Sequence, residues 1–210
     1  YGQIGKSPLS ETAALGRPTN AYGRTKLIVE DMMHDAAVSD PRWAIGILRY
    51  FNPIGAPSSG LIGEFVNGAP QNLVPYMSMV AMGKFEHLVI FGDDYCTHDG
   101  TGIRDYIHVV DLSEGHLKAL NYLNSNKGVS IWNLGTGQGF SVLDMVKEFE
   151  NVTGECLPCR FEARRPGDVA ICYANPTKAE LELNWKASRS VTEMLSDFWK
   201  WQKMNPDGYD

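Results

Sequence analysis

The chain has 210 residues, of which 43% are hydrophobic and 21% charged, and its net charge is −6. This size allows one well-packed core, or one domain and part of another. The spread of negative charge argues against a nucleic-acid-binding protein, which needs a basic surface, and no apolar run approaches the ~20 residues that span a membrane. Four cysteines form no dense framework, so we expect a protein of the reducing cytoplasm that holds no metal.

Hydrophobic periodicity predicts alternating helices and strands. Asn20 and Ser141 are predicted to cap helices over 21–38 and 141–152. Further helices are predicted over 74–82, 109–123, 176–183 and 192–204, and strands over 43–50, 88–91 and 130–134. The predicted loops are 7–20, 52–72, 92–105 and 163–176, and the single CxxC of residues 156–159 is predicted to be two unpaired thiols in a turn. This alternation favours an α/β fold with parallel strand pairing.

Tyr22 and Lys26 form the first candidate site. Their i, i+4 spacing in the first predicted helix puts both on one face, so one ligand could touch both. A nearby ammonium favours a phenolate, and a tyrosine tuned in this way can exchange a proton near neutral pH. The alternative is a pair of ordinary residues on a solvated helix face.

Phe51 and Asn52 follow the end of the predicted strand over 43–50. Ligands of open α/β sheets lie beyond the carboxyl ends of strands. An aromatic ring and an amide at this position suit a polar ligand, although a simple turn is the alternative and, on Asn52-Pro53 alone, the preferred interpretation.

Two arginines in Gly- and Pro-rich loops form a candidate phosphate site. Arg104 and Arg165 can grip phosphate oxygens with two hydrogen bonds each, and Asn72 could add an amide donor. The alternative is local ion pairing of Arg104 with Asp105 and of Arg165 with Asp168.

The segment Gly135-Thr136-Gly137-Gln138-Gly139-Phe140 imitates a dinucleotide-binding loop, because it follows a predicted strand and precedes a predicted helix. The fingerprint needs glycine at its sixth position, where this chain has Phe140. We interpret the segment as a strand–helix turn and find no nucleotide fingerprint in the sequence.

Seven sequence blocks in order carry a resemblance to a known family. YGRTK, RYFNPIGAPSSG, NLVPY, DGTGIRDYIHV, WNLGTGQGFSV, ARRPGDVA and WKWQKMNP run from residue 22 to residue 206. On these blocks the chain resembles the carboxy-terminal two-thirds of the UDP-glucose 4-epimerases, members of the extended short-chain dehydrogenase/reductase family. The resemblance implies that a phosphate-binding loop and a catalytic Ser or Thr precede Tyr1.

The resemblance also implies an architecture and partners. Residues 1–53 would end a Rossmann-type NAD-binding domain whose N-terminal part is absent. Residues 54–210 would form a smaller α/β domain for a UDP-hexose, with segments near 104–123 returning toward the first domain. The implied cofactor is NAD, the implied assembly is a homodimer of the full-length protein, and no nucleic acid or membrane partner is expected.

Roles for individual residues come from the same resemblance. The implied reaction interconverts UDP-glucose and UDP-galactose through transient NAD-dependent oxidation at sugar C4, as part of galactose metabolism. Tyr22 would be the base, Lys26 would bind the nicotinamide ribose, and Tyr50 would lie beside the nicotinamide. The implied substrate contacts are Phe51 and Asn52 to the sugar, Asn72, Arg104 and Arg165 to the diphosphate, Val89 and Phe91 to uracil, and Asp168 to the uridine ribose, with Leu73 as a further substrate contact.

Cys172 is an informative departure from many bacterial relatives, which carry a bulky Tyr at that position. A smaller side chain leaves room for a 2-acetamido group, so the hypothesis is that UDP-GlcNAc and UDP-GalNAc are substrates as well. The alternative is that Cys172 only packs the pocket wall.

Two other functions remain open at this point. Another sugar-nucleotide enzyme of the extended family, a dehydratase or decarboxylase, would differ in residues that precede Tyr1. A non-catalytic UDP-sugar-binding module is the second alternative, because a chain without the cofactor loop would leave much of the apolar face of the Tyr22 helix exposed. We expect these 210 residues alone to be inactive.

Overall fold

A computed structural model describes residues 1, 7–16, 18, 20–66, 68 and 70–209 of the chain. Four residues of the predicted loops lie outside the described residues, namely Arg17, Thr19, Asn67 and Ala69. Among the described residues, no helix has both the length and the apolar character needed to cross a bilayer.

The helices of the described residues agree with the sequence prediction to within one residue at each end. They are α1 (Ala21–Ser39), α2 (Leu73–Ala81), α3 (Val109–Leu123), α4 (Val142–Thr153), α5 (Thr177–Leu183) and α6 (Val191–Met204). The predicted caps are confirmed: the side chain of Asn20 accepts a hydrogen bond from Gly23 N at 2.7 Å, and Ser141 forms a capping box with Asp144. Such caps satisfy backbone N–H groups that a helix leaves free at its start.

The strands are more numerous than the sequence predicts. They are β1 (Ala44–Tyr50), β2 (Asn52–Ile54), β3 (Leu88–Phe91), β4 (Ile103–Arg104), β5 (Tyr106–His108), β6 (Gly128–Leu134), β7 (Phe140–Ser141), β8 (Cys159–Glu162) and β9 (Ile171–Cys172). The prediction of continuous loops over 52–72, 92–105 and 163–176 is therefore wrong at β2, β4 and β9. These strands have two or three residues, too few to show an alternating pattern.

Strand pairing is mostly parallel, as the alternation of helices and strands predicts. β1 pairs with β6, β2 with β5, and β3 with β8, all in parallel. β4 lies between β9, to which it is parallel, and β7, to which it is antiparallel. The antiparallel pair of β4 and β7 departs from the predicted parallel pairing. Because β6 pairs with β1, the part of the chain that returns to the N-terminal segment extends to Leu134.

Two hydrophobic cores hold these elements together. The larger one gathers α2, α4, α6 and β3 around side chains such as Phe149, Phe198 and Met77. The smaller one lies between β6, α3 and α5 around Trp132, Ile107 and Leu134. Burying each side chain of this size stabilises the fold by about 1.5–3 kcal/mol. In contrast, α1 contains no buried residue, as expected for a helix whose apolar face is left exposed.

The four cysteines are free thiols. The turn predicted around the CxxC is corrected at its end, because Cys159 is the first residue of β8.

Candidate active site

An open cavity of about 610 Å³ lies between α1 and the ends of several strands. Eight of the residues singled out in the sequence line it: Tyr22, Lys26, Tyr50, Phe51, Asn52, Arg104, Asp168 and Cys172. They come from four separate parts of the chain, so the fold brings together what the sequence keeps apart.

Tyr22 and Lys26 form the wall contributed by α1. The Lys26 Nζ lies 5.0 Å from the centre of the Tyr22 ring, which fits the i, i+4 spacing. The Tyr22 side chain is 71% exposed. A phenol beside an ammonium, open to a cavity, can meet a ligand hydroxyl directly.

Tyr50, Phe51 and Asn52 form the wall where β1 ends and β2 begins. The Phe51 backbone N–H donates to Leu134 O at 3.2 Å, and that of Asn52 donates to Asp105 O at 3.0 Å. These bonds hold the backbone, while the exposed side chains of Tyr50 and Asn52 remain available to a ligand.

Arg104, Asp168 and Cys172 form the charged end of the cavity. Arg104 pairs with Cys172 in the β4–β9 register, and its Nη2 lies 4.0 Å from Asp168 Oδ1. Its Nη1 donates to Ile103 O at 2.8 Å. Burial raises the pKa of the Cys172 thiol, against the opposing effect of the Arg104 charge. Cys172 therefore presents a neutral thiol, and Arg104 presents the positive charge that an anionic ligand needs.

Five predicted site residues do not line this cavity: Asn72, Leu73, Val89, Phe91 and Arg165. Asn72 precedes α2 without a capping bond from its side chain, and Leu73 packs against the larger core. Val89 and Phe91 lie in β3.

Arg165 links this second group of residues to the cavity. Its guanidinium lies 4.8 Å from the centre of the Phe91 ring, and its Nε donates to Asp168 Oδ2 at 3.2 Å. The predicted ion pair of Arg165 with Asp168 is therefore present, whereas the carboxylate of Asp105 bonds to backbone and hydroxyl groups.

Comparison with known proteins identifies the family. Residues 1–198 match a family model described as GDP-mannose 4,6 dehydratase. The chain belongs to this family. It is 54% identical to the UDP-glucose 4-epimerases of Pasteurella multocida and of Bacillus subtilis, with the whole chain aligned. It spans 62% and 61% of the length of these two relatives.

A solved member of the family supports the fold. The crystal structure of UDP-glucose 4-epimerase from Bifidobacterium longum in complex with NAD+ and UDP is 47% identical, with a TM-score of 0.93, over 97% of this chain and 61% of that one. The resemblance to UDP-glucose 4-epimerases and the α/β fold are thus confirmed. The family model is described as a dehydratase and the relatives are named epimerases, so family membership alone does not choose the reaction.

Among the cavity-lining residues of this chain that the sequence left unassigned, Tyr1, Glu30 and Arg49 carry polar or charged groups. Arg49 makes an ion pair with Glu30, its guanidinium lies 5.0 Å from the centre of the Tyr1 ring, and the Tyr1 hydroxyl donates to Asn133. Two signals were present in the sequence. Glu30 is one helical turn past Lys26, and Arg49 is a charge within an apolar strand, which needs a partner.

One group of potential metal ligands has another explanation. Side-chain atoms of His98, Asp99 and Asp144 lie within 4.8 Å of one another. Asp99 accepts hydrogen bonds from Thr101 and Ser141, and Asp144 accepts one from the Ser141 backbone at 3.0 Å. We assign this group to the start of α4.

Proposed function

We propose that this chain forms the acid/base and sugar-nucleotide part of a UDP-glucose 4-epimerase, an isomerase that interconverts UDP-glucose and UDP-galactose in galactose metabolism. The observation that carries the proposal is that one cavity is lined by the Tyr22–Lys26 pair and by Asn52 and Arg104. A proton-transfer group thus faces the same space as groups suited to a hexose and a phosphate. The names of relatives about half identical to the chain support the same reaction.

The residues present are suited to a dinucleotide cofactor on the α1 side of the cavity. Lys26 offers an exposed ammonium to a ribose, and Tyr50 offers a half-exposed ring at the end of β1. NAD, when bound, supplies a hydride acceptor for sugar C4 and returns the hydride. That the solved relative contains NAD+ supports this assignment. The phosphate-binding loop would lie outside these 210 residues.

Proton transfer falls to Tyr22 in this proposal. Its phenolate oxygen takes the proton from the sugar 4-hydroxyl as hydride leaves C4, and the resulting phenol gives the proton back when hydride returns. The ammonium of Lys26 lies beside this group, 5.0 Å from the centre of the Tyr22 ring. Phe51 and Asn52 enclose the hexose, and few charged groups surround it. The sugar is therefore free to present its other face.

The UDP portion is held more firmly in the proposal. Arg104, Arg165 and Asn72 bind the diphosphate. Val89 and Phe91 lie in the strand that meets uracil, largely through its backbone. Asp168 binds the uridine ribose, and Leu73 is a further substrate contact. The contacts from Phe91 through Arg165 and Asp168 to Arg104 support one continuous binding surface. Firm binding of the nucleotide together with loose binding of the hexose suits epimerisation.

The decisive experiment uses the full-length protein, meaning the whole open reading frame that contains this chain. We would denature it, measure the NAD released, and assay conversion of UDP-galactose to UDP-glucose. Tyr22→Phe should lower turnover by about 10²–10⁴-fold without reducing the NAD content. Tyr122→Phe is the matched control, because Tyr122 packs against Trp132 in the smaller core.

Each alternative function has its own result in this assay. UDP binding without released NAD or turnover would favour the non-catalytic binding module. A dehydratase, which the description of the family model favours, would release a product that has lost its C6 hydroxyl. An epimerase returns that hydroxyl intact, so product analysis by NMR separates the two reactions.

The proposal extends to N-acetylated substrates because Cys172 lines the cavity with a small side chain. Cys172→Tyr should abolish conversion of UDP-GlcNAc to UDP-GalNAc and spare UDP-glucose. Cys96→Tyr, at an exposed cysteine, is the control. Unchanged N-acetyl activity in Cys172→Tyr would contradict this extension.

Assembly and localisation complete the proposal. We assign the full-length protein to the cytoplasm as a homodimer, as its family resemblance implies. Light scattering of the purified protein tests the dimer, since a monomeric mass would contradict it. The two-domain division at residue 53 belongs to the same proposal and is tested by limited proteolysis.

A further inference from the structure

The glycine-rich turn after β6 surrounds a carboxylate of the same chain. The backbone N–H of Thr136 donates to Asp105 Oδ1 at 2.9 Å, and its hydroxyl donates to the same oxygen at 2.6 Å. The N–H groups of Gly137 and Ala174 donate to Asp105 Oδ2 at 3.0 and 3.1 Å. Successive backbone N–H groups in a turn form an anion-binding concavity. The segment that imitates a phosphate loop thus binds an internal anion.

The fit around this carboxylate is close. Asp105 is 0% exposed, and a Cβ at Gly135 would lie 2.6 Å from its Oδ2. Burial raises the pKa of Asp105, while the four hydrogen bonds act in the opposite direction. Every one of these donors needs a carboxylate lone pair as its acceptor. In an asparagine at this position, the side-chain amide N–H groups would face backbone N–H groups, and two donors cannot form a hydrogen bond.

The backbone of the same residue joins three segments that line the cavity. Its N–H donates to Cys172 O at 3.2 Å, and its carbonyl accepts from Asn52 N at 3.0 Å. Arg104 is its neighbour in the chain. The side-chain bonds anchor Asp105 to the turn, and the backbone bonds fix the spacing of the cavity walls.

We infer that Asp105 is a positioning residue for sugar-nucleotide binding, which acts by anchoring Asn52, Arg104 and Cys172 to the turn of Gly135–Gly137. The inference rests on the proposed function, because it assumes that these three residues meet a UDP-sugar. Asp105 itself touches no substrate. Its loss lets the β2, β4 and β9 segments shift relative to one another, and a shift of about 1 Å is enough to weaken a multi-point site.

Asp111 provides a matched comparison within the same chain. It is also 0% exposed, and it accepts from Ser188 N at 3.1 Å and Arg189 N at 3.0 Å, as well as from the Arg189 guanidinium. These bonds tie α3 to the segment before α6, and Asp111 does not line the cavity. A buried carboxylate with only a structural role should behave like Asp111.

The experiment compares Asp105→Asn with Asp111→Asn in the full-length protein. Thermal unfolding gives the loss of stability, and calorimetric titration with UDP gives Kd at a temperature where both variants are folded. Both variants should lower Tm, whereas only Asp105→Asn should raise the Kd for UDP, by about tenfold. Equal Kd changes in the two variants, or none in Asp105→Asn, would overturn the inference.

A milder pair covers the case in which Asp105→Asn does not fold. Thr136→Val removes the hydroxyl that donates to Asp105, and Ser188→Ala removes the hydroxyl that donates to Asp111 at 3.3 Å. Thr136→Val should raise the Kd for UDP about threefold to fivefold, with no change in Ser188→Ala. An unchanged Kd in Thr136→Val also overturns the inference. A wild-type protein that does not bind UDP would instead refute the proposed function, and the inference with it.

Discussion

Arg49 of β1 holds Glu30 of α1 in a two-bond ion pair. The Nε and Nη2 of Arg49 donate to the two carboxylate oxygens at 2.9 and 2.5 Å. Burial disfavours the charged form of Arg49, but the hydrogen bonds with Glu30 oppose this effect, and the pKa of the guanidinium is raised. Since α1 contains no buried residue, this pair is a principal link between the strand and the helix that carries Tyr22 and Lys26.

Glu30→Gln should destabilise the full-length protein by about 1–3 kcal/mol, because charge-assisted hydrogen bonds to Arg49 are weakened and its charge loses its partner. Urea unfolding measures the change as a lower midpoint. Arg42→Ala is the control, since Arg42 pairs with Asp40 at an exposed site and should leave the midpoint unchanged. Equal effects of the two substitutions would argue against a special role for the Arg49–Glu30 pair.

The Cys172 thiol should react slowly with iodoacetamide at neutral pH, because burial raises its pKa and the thiolate is the nucleophile. We expect alkylation roughly tenfold slower than at the exposed Cys96, and faster as the pH rises. Mass spectrometry of the tryptic peptides reports both sites in one sample. Saturating UDP should slow Cys172 further and leave Cys96 unaffected, and protection of both would point to a global effect of UDP.

Protonation of His108 should lower the stability of the folded protein as the pH falls. The ring is fully buried, its Nδ1 accepts from Val110 N at 3.0 Å, and its Nε2 lies 3.3 Å from Asp197 Oδ2. Burial lowers the pKa of His108, as does the charge of Arg189, while Asp197 and Asp111 oppose them. The unfolded chain therefore binds the proton first, at a reference pKa of about 6.5.

This sign sets the pH window. The contribution of His108 to stability is present above about pH 6.5 and is lost as pH falls through its lower folded pKa, with a slope of up to about 1.4 kcal/mol per pH unit. His108→Asn, which keeps a capping acceptor, should flatten the profile measured by urea unfolding between pH 8 and 5. His34→Asn, at an exposed histidine, should not. A profile that is unchanged in His108→Asn would refute the assignment.

Trp132→Phe should destabilise the smaller core by about 1–3 kcal/mol. Trp132 is fully buried, its Nε1 donates to Glu182 Oε2 at 2.8 Å, and its ring meets Tyr122 edge-on. The substitution leaves a cavity and removes the hydrogen bond to Glu182. Trp43→Phe makes the same chemical change at a half-exposed position and should have little effect on the unfolding midpoint.

The helices could be predicted from the sequence because their signals are local. Asn20 and Ser141 mark helix starts by side-chain bonds to nearby backbone, and the apolar stripes of α3 and α4 repeat over several turns. The short strands could not be predicted in this way. β4 and β9 have two residues each and exist through pairing with each other, and such non-local pairing leaves no periodic pattern.

The sequence predicted individual residues of the candidate site but not the contacts that hold them in place. The sequence blocks identified Tyr22, Asn52 and Arg104 as site residues, and the fold brings these three residues to one cavity. The pairing of Glu30 with Arg49 and the enclosure of Asp105 join residues far apart in the chain, so no spacing rule could supply them. The rejected fingerprint illustrates the difference, because only the structure explains what its glycines surround.

The pairing of β1 with β6 has a consequence for synthesis. Within the described residues, β6 is the strand that pairs with β1. Ala44 lies opposite Gly128 in this pair, although α2, β3 and α3 are synthesised between the two strands. In the nascent chain, the edge of β1 that pairs with β6 thus stays without this partner until the ribosome has released Leu134. Such edges recruit other chains. The late arrival of β6 therefore sets the interval in which this edge of β1 is open to pairing with other chains.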